Sequence, residues 1–258
     1  GAKIVTYLPM RWIMGMIGDF AAALLYMLVG RTREIDEQMQ AAVAVGIKQV
    51  VILGAGYDTR GFRLELPEGI VVFEVDQPDV QEKKKASLER IKKTMLLTNE
   101  ERVHFVPCDF NVETLEKLRG VPGYDARAAT FFIMEGVTQY IPKERTKSTL
   151  AAASSLCGPG SRFMVSYVPQ DLWDAPEKCF HNTAAIAKMM AQVKAVGEPW
   201  ISGFSKDEFA ELMSEKGFTV QRDISIEELI QDYFQPANRQ VPEKRRALLE
   251  RYALAMKK

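Results

Sequence analysis

A glycine turn and a carboxylate are spaced in this sequence as they are in sites that bind a nucleoside. The turn reads Gly54-Ala55-Gly56 and follows a short β-branched run, and Asp76 ends the next apolar run. A glycine turn lets the backbone approach a ligand closely because glycine has no Cβ. An acid at the tip of the following strand, about 20 residues on, can accept hydrogen bonds from ribose hydroxyls. The pattern therefore predicts a nucleoside cradle.

The residues that follow the turn distinguish between nucleoside cofactors. A dinucleotide pyrophosphate is bound by G-x-G-x-x-G, whose third glycine opens the helix that faces the phosphates. Thr59 stands at that third position, and Asp58 beside it would repel a pyrophosphate. S-adenosylmethionine has no phosphate and carries a sulfonium and an ammonium group, so Asp58 is compatible with it. The sequence favours S-adenosylmethionine, and an NAD-dependent oxidoreductase is the second enzyme hypothesis.

Two more acids stand where predicted strands end. Asp109 follows a strand predicted at 103–108, and Glu135 follows one at 128–134. In an open parallel sheet, ligands bind in the crevice outside the carboxyl ends of the strands. We therefore expect Asp109 and Glu135 to converge with Asp76 and the glycine turn on one pocket.

Strand-like and helix-like segments alternate along the chain, which is typical of an α/β protein with a parallel sheet. Besides the run that ends at Asp76, strands are predicted at 49–53, 103–108, 128–134, 161–168 and 219–224. A helix is predicted at 35–45, and Ser205 with Glu208 forms a capping box for another helix. The segment 251–256 is ambiguous between helix and strand from its pattern alone.

The charge balance and the cysteine count argue against several classes of protein. Basic and acidic residues number 34 each, so the formal net charge is +0. Nucleic-acid-binding proteins usually carry a basic excess, and we therefore expect no nucleic-acid partner. Cys108, Cys157 and Cys179 are scattered and form no C-x-x-C pair. Their pattern argues against a disulfide framework or a metal site and fits a reducing cytoplasm.

The first 30 residues are rich in apolar side chains, interrupted by Arg11 and Asp19. A membrane-spanning helix needs roughly 20 apolar residues with few charges, and the clean run 20–29 is half that length. We predict two short amphipathic helices within 4–29 that form an N-terminal cap over residues 1–30, and no integral membrane span. Peripheral membrane contact is the alternative.

Three segments together resemble one family of enzymes. GAGYDTRGFRL, FEVDQPDVQEKK and FFIMEGVTQYI are similar to the leucine carboxyl methyltransferase family, which uses S-adenosylmethionine and has a microbial branch of O-methyltransferases. The resemblance implies a doubly wound, seven-stranded, Rossmann-like class I methyltransferase sheet over residues 31–258. Its last strand is antiparallel, so 251–256 is assigned to that strand. The segment 169–204 would be an insertion on the substrate side.

The resemblance also implies which residues hold the methionine part of the cofactor. Gly54, Ala55 and Gly56 would line it, and Glu135 would face its amino end. Arg31 would pair with its carboxylate, because a guanidinium binds a carboxylate through two parallel hydrogen bonds. Arg33 is the fallback for Arg31. Arg60 and Arg63 belong to the same motif, and in the simplest interpretation they only hold the turn in place.

On the adenosine side, the resemblance assigns the ribose to Asp76 and adds Gln77 to the cofactor site, with Glu74 as a possible substitute for Asp76. Asp109 would accept from the adenine amino group, with Phe110 beside the ring. The cofactor would leave as S-adenosylhomocysteine.

The resemblance implies methyl transfer by direct displacement. A carboxylate acceptor needs no general base for this step, whereas a hydroxyl acceptor would need one. Tyr140 lies where the family places an aromatic near the acceptor, and His181 is a possible base. Tyr167 and Tyr233 are weaker candidates. His104 is expected mid-strand and structural.

The acceptor half of the site is less constrained by sequence. Aromatic and methionine side chains in the cap and in 169–204 favour a small apolar acceptor, methylated at a carboxylate or hydroxyl. A protein C-terminal carboxylate, as in the family's namesake, is the alternative acceptor. A cofactor-binding scaffold without catalysis is a further hypothesis. The oligomeric state stays open.

Overall fold

Seven strands form one sheet in the computed structural model, which describes residues 18–92, 97–110 and 112–258. The strands are β1 Gln49–Leu53, β2 Val71–Asp76, β3 Val103–Pro107, β4 Thr130–Met134, β5 Arg162–Tyr167, β6 Phe218–Ile224 and β7 Arg251–Lys257. Their order across the sheet is β3-β2-β1-β4-β5-β7-β6. The first five are parallel, whereas β7 runs antiparallel to both β5 and β6. The predicted doubly wound, seven-stranded α/β sheet is confirmed.

The central strands are apolar throughout because both of their faces are covered. Every residue of β1 and β4 is buried, as expected for parallel strands with helices on both sides. Val50 and Ile52 of β1 belong to one core cluster, and Val51 and Leu53 belong to the other. The alternation places one hydrophobic core on each face of the sheet.

The helices that cover the sheet vary widely in length. They are α1 Asp19–Ala44, α2 Arg60–Arg63, α3 Pro78–Ile91, α4 Lys143–Ser155, α5 Asp171–Asp174, α6 Pro176–Cys179, α7 Thr183–Ala195, α8 Lys206–Glu215 and α9 Ile226–Leu229, which continues into a π-helical turn Ile230–Phe234. Short 3₁₀ turns cover Glu100–Arg102, Leu115–Gly120, Thr138–Tyr140 and Glu243–Arg245. The predicted capping box is confirmed, because the Ser205 side chain accepts from the backbone N–H of Glu208.

Helix α1 corrects the prediction for the N-terminal region. The predicted cap falls outside the described residues up to residue 17. From Asp19 the chain forms a single helix of 26 residues, so a separate short helix ending near residue 29 and a new one beginning at residue 35 are wrong. The helix continues because Ala23, Met27, Ile35 and Met39 form one buried stripe at helical spacing. In the described part of the chain, no helix combines the length and hydropathy needed to cross a bilayer.

The final strand resolves the ambiguity of 251–256. β7 is inserted between β5 and β6, where Phe163 and Val220 both pair with Ala255. Ala253 and Ala255 are fully buried. Their helical propensity is overridden because the strand satisfies backbone hydrogen bonds on both of its edges. The antiparallel last strand implied by the family resemblance is confirmed.

Candidate functional site

A cavity of about 650 Å³ opens at the carboxyl ends of β1 and β4. Leu53 pairs with Met134 in these parallel strands, so the chain leaves the sheet at Gly54 and Glu135 side by side. Helix α1 forms the opposite wall. Six of the predicted site residues line this cavity: Arg31, Gly54, Ala55, Gly56, Glu135 and Tyr140.

The glycine turn is close to the segment that follows β4. Gly54 has a φ of +66°, and a Cβ at this position would lie 2.4 Å from Cγ2 of Val137. Its backbone N–H donates to the carbonyl oxygen of Val75 at 2.8 Å, which fixes the turn against β2. Only glycine fits, because both the left-handed backbone and the close approach exclude a side chain.

Asp76 supports the turn through its carboxylate. One oxygen, Oδ2, accepts from the backbone N–H of Gly56 at 2.5 Å, and Oδ1 accepts from that of Gln77 at 2.7 Å. A carboxylate oxygen has two lone pairs, so each oxygen keeps one for a ribose hydroxyl. Asp76 can therefore hold the turn and a ligand together.

Glu74, the substitute considered for the ribose, is placed differently. Its side chain is completely buried, and Oε2 lies 2.5 Å from Nζ of Lys84. Burial raises the pKa of Glu74 to about 7, and the neighbouring Lys84 ammonium opposes that rise. Glu74 is committed to this buried pair, which leaves Asp76 as the ribose candidate.

Arg31 and Glu135 form an ion pair in the wall of the cavity. Nε of Arg31 lies 2.6 Å from Oε1 of Glu135, and Nη1 lies 2.6 Å from Oε2 of Glu250. Burial lowers the pKa of Arg31, but the carboxylates of Glu250 and Glu135 outweigh it and the pKa is raised. The fallback, Arg33, pairs with Glu37 instead, and its side chain is 64% exposed.

Arg60 joins three parts of the fold at the base of the cavity. Its side chain is 4% exposed; Nε donates to Asp36 on α1 at 2.8 Å, and Nη1 reaches Asp58 and Glu135 at 2.5 Å each. Burial lowers the pKa of Arg60, but Asp58 and Glu135 outweigh it and the net effect raises the pKa. Arg63 pairs with the same Asp36 at 2.7 Å. Arg60 therefore does more than hold the turn, since it also positions Glu135.

Asp58 occupies the place that a dinucleotide would need. Its Oδ1 accepts from the backbone N–H of Arg60 at 2.7 Å, at the start of α2. A pyrophosphate bound in the usual way would need that N-terminus. The local structure agrees with the preference for a cofactor without phosphate.

The predicted adenine-side residues lie beyond the lining of the cavity. The backbone N–H of Cys108 donates to the carbonyl oxygen of Asp76 at 2.8 Å, which brings the ends of β2 and β3 together. Asp109 and Phe110 follow directly, and the backbone N–H of Asp109 donates to Glu113. Gln77 precedes α3 as its N-cap residue. These residues extend the site along the strand ends away from α1.

The two predicted catalytic side chains are separated. Tyr140 lines the main cavity and is 37% exposed. His181 lines an adjoining cavity between the start of α1 and α7, and Leu24 and Met189 border both cavities. The weaker candidates are engaged elsewhere, since the hydroxyl of Tyr167 donates to Asp223 and that of Tyr233 donates to Glu34.

One charged lining residue, Glu250, was not predicted from the sequence, whereas Trp200 lies in the segment 169–204, whose aromatic side chains were expected to shape the acceptor pocket. Glu250 is 2% exposed and lies directly before β7. The only sequence feature that could have indicated its role is its position as a carboxylate at the edge of an apolar strand. Trp200 is positioned because the backbone N–H of Ile201 donates to the carbonyl oxygen of Gln139 at 2.7 Å. Apolar side chains complete this wall: Leu24, Met27, Leu28 and Met189.

Family membership is established by sequence comparison. A profile of the leucine carboxyl methyltransferase family matches residues 18–154, just over half of the chain. The chain belongs to the leucine carboxyl methyltransferase family.

Curated relatives carry the provisional name of S-adenosyl-L-methionine-dependent methyltransferase. One from Mycolicibacterium gilvum is 36% identical over 149 residues, covering 58% of this chain and 47% of the relative. Another from Bacillus subtilis is 30% identical over 207 residues, covering 80% of this chain and 65% of the relative. The chain spans about half to two thirds of the length of these relatives.

Solved structures share the fold at low sequence identity. A DUF574-family protein from Streptomyces avermitilis has a TM-score of 0.62 and 17% identity, covering 93% of this chain and 87% of that one. Magnesium protoporphyrin IX methyltransferase from Synechocystis, solved with bound S-adenosylhomocysteine, has a TM-score of 0.53 and 14% identity, covering 89% and 84%. The expected class I methyltransferase fold is confirmed.

The residues of the site fit S-adenosylmethionine. The cavity volume lies in the usual range for small-molecule sites, and the glycine turn Gly54-Ala55-Gly56 lines it. Asp76 keeps oxygen lone pairs for a ribose, and the cavity offers both carboxylates and guanidiniums to a zwitterionic amino-acid group. When bound, this cofactor supplies a methyl group activated by its sulfonium.

Proposed function

We propose that the protein is an S-adenosylmethionine-dependent O-methyltransferase that acts on a carboxylate or hydroxyl of a small apolar molecule. The observation that supports it most directly is one cavity in which the glycine turn and the Arg31–Glu135 pair face an apolar wall. Family membership and the fold agree with this activity.

In this proposal the charged side of the cavity holds the amino-acid end of the cofactor. Glu135 accepts from its ammonium, and Arg31 donates to its carboxylate. Arg31 and Glu135 pair with each other before the cofactor binds. The ammonium and carboxylate of the cofactor then pair with them, so neither side chain is left with an unpaired buried charge. Asp76 binds the ribose.

The apolar side of the cavity holds the acceptor. Met27, Met189 and Trp200 exclude water from the acceptor and place it against the glycine turn. Positioning of this kind supplies much of the acceleration when the leaving group is already activated. Tyr140 is the candidate that orients the acceptor oxygen, and His181 in the adjoining cavity is the candidate base for a hydroxyl. The apolar wall favours a small molecule over the charged end of a peptide.

Calorimetric titration tests the cofactor assignment. We expect saturable binding of S-adenosylmethionine and S-adenosylhomocysteine and none of NAD; binding of NAD alone would refute the proposal. Asp76→Ala should weaken cofactor affinity by about 1–3 kcal/mol because ribose hydrogen bonds to a charged group are lost. Asp79→Ala, a solvent-exposed acid three residues away, serves as the control and should leave affinity unchanged.

An acceptor screen tests the reaction. Release of S-adenosylhomocysteine is measured with apolar carboxylic acids, phenols and alcohols and with peptides that have a free C-terminal carboxylate. Transfer to the small molecules supports the proposal, and transfer to peptides alone contradicts the acceptor class. Cofactor binding without transfer to any acceptor would favour the scaffold hypothesis.

A further inference from the structure

The charged side chains around the cavity form a connected network with an uneven count. We define the arginine–carboxylate network as the following residues: Arg31, Arg60, Arg63, Asp36, Asp58, Glu135 and Glu250. Three guanidiniums face four carboxylates, so the network has one excess negative charge. Among the described residues, no lysine or further arginine pairs with these four carboxylates.

The excess negative charge is assigned to Asp36, which lies outside the lining of the cavity. Glu135, Glu250 and Asp58 line the cavity together with the three arginines, whereas Asp36 does not line it. Asp36 lies on α1 with a side chain 15% exposed, and it binds Arg60 through Oδ1 and Arg63 through both oxygens. Without Asp36 the network would be neutral.

The methyl donor and the product left after transfer differ in net charge. S-adenosylmethionine carries a carboxylate, an ammonium and a sulfonium, which sum to one positive charge at neutral pH. Transfer breaks the S–CH₃ bond, leaves the electron pair on sulfur and forms a C–O bond to the acceptor; a hydroxyl acceptor also gives its proton to a base, whereas a carboxylate has none to lose. The sulfonium becomes a neutral thioether, and S-adenosylhomocysteine has no net charge.

We propose that the arginine–carboxylate network selects the cationic cofactor over the neutral product, with Asp36 setting the selectivity from outside the cavity. The inference rests on the proposed cofactor. Methyl transfer then removes the charge to which the network is complementary, and the product is bound less tightly than the cofactor that replaces it.

The size of the effect follows from Coulomb's law. One unit charge about 10 Å from another, in a partly exposed site, changes an equilibrium constant by roughly three- to tenfold. The interaction acts on the cationic ligand and leaves the neutral ligand nearly unaffected. The ratio of the two dissociation constants therefore reports the network charge, whereas a general loosening of the site changes both constants by the same factor.

Two variants shift the network charge in opposite directions. Asp36→Asn makes the network neutral, and Arg63→Gln, at a side chain 38% exposed, gives it two negative charges. Asp125→Asn is the matched control, because Asp125 also pairs with an arginine, Arg127. It precedes β4 and therefore lies at the edge of the sheet opposite the cavity.

The experiment measures dissociation constants of S-adenosylmethionine, S-adenosylhomocysteine and sinefungin by calorimetry in the full chain. Sinefungin has an amine in place of the sulfonium methyl and is also cationic, so it separates the effect of charge from that of the methyl group. Relative to S-adenosylhomocysteine, both cations should lose three- to tenfold in affinity in Asp36→Asn and gain by a similar factor in Arg63→Gln. Asp125→Asn should not move the ratio.

Each outcome has a distinct meaning. A ratio that stays constant in both variants, or moves in the same direction in both, overturns the inference while the proposed cofactor stands. A changed affinity ratio for S-adenosylmethionine without one for sinefungin also overturns the inference, because the site would then distinguish the ligands by the methyl group and not by the charge. Failure of the unaltered protein to bind any of the three ligands refutes the proposed function itself.

Discussion

Gly54 tests how closely the backbone must approach the segment after β4. Gly54→Ala adds a methyl group 2.4 Å from Val137 and strains a residue with positive φ. The strained backbone costs about 1–2 kcal/mol, and overpacking costs about 1–3 kcal/mol more. We expect a lower free energy of unfolding in urea and weaker binding of S-adenosylhomocysteine.

Gly69→Ala is the control for this substitution. Gly69 also has a positive φ, +82°, but a Cβ there would meet nothing within 4 Å. Gly69→Ala should lower the free energy of unfolding only by the cost of the strained backbone, and it should leave ligand affinity unchanged. Gly54→Ala combined with Val137→Ala should recover part of the loss; equal effects of the two glycine substitutions would contradict the close-approach argument.

Arg31 and Arg33 provide a matched pair two residues apart on α1. Arg31→Ala removes the guanidinium beside Glu135 and Glu250, whereas Arg33→Ala removes an exposed one. We expect Arg31→Ala to weaken binding of the intact cofactor far more than binding of adenosine, because only the former has a carboxylate. Calorimetry with both ligands measures this. Equal losses for the two ligands would reject the role of Arg31, and Arg33→Ala should affect neither.

The acids that end strands could be predicted because each follows an apolar run whose length and bounds are visible in the sequence. Asp76 and Glu135 are examples, and the structure places both beside the glycine turn. Glu250 could not be predicted, since its partner Arg31 lies 219 residues away. Local pattern contains no information about which distant guanidinium will neutralise a buried carboxylate.

The pairing of Glu74 with Lys84 fixes α3 to β2. Both side chains are almost completely buried, at 0% and 4% exposure. Removing one partner of a buried pair leaves an uncompensated charge and costs about 3–5 kcal/mol. Glu74→Ala should therefore reduce the free energy of unfolding by that amount, as measured by urea denaturation.

Two further variants test whether the unpaired charge causes the loss of stability. Glu74→Leu with Lys84→Met replaces the pair by apolar groups and should recover most of the stability. On the same helix, Asp79→Ala breaks the exposed pair with Lys83 and should cost no more than about 0.5 kcal/mol. A double variant as unstable as Glu74→Ala would indicate that lost packing, and not the unpaired charge, is responsible.

Helices and strands could be predicted where apolar residues recur at a regular spacing or where a capping residue marks one end. Ser205 and Glu208 fixed the start of α8 because a capping box is a local interaction. The extent of α1 was missed because the polar residues between 29 and 35, such as Arg31, interrupt the apolar pattern. Arg31 nevertheless lies within the helix, and its partners Glu135 and Glu250 lie in the site on other parts of the chain.

The sheet as a whole depends on β7. This strand pairs with β5 on one side and β6 on the other, so deletion of residues 251–258 exposes two unpaired strand edges. Exposed edges promote aggregation, and we expect the truncated chain to be insoluble. Deletion of Lys258 alone removes a single backbone hydrogen bond to Gly217 and should leave solubility unchanged. A soluble chain without residues 251–258 that unfolds cooperatively would contradict this role.

The bond between Arg31 and Glu250 has a consequence for how the protein is made. Synthesis proceeds from the N-terminus, and domains generally fold as units as they emerge. Arg31 leaves the ribosome early, but its carboxylate partner is separated from it by 219 residues. The arginine–carboxylate network beside the cavity is therefore complete only after Glu250, the residue directly before β7, has been synthesised.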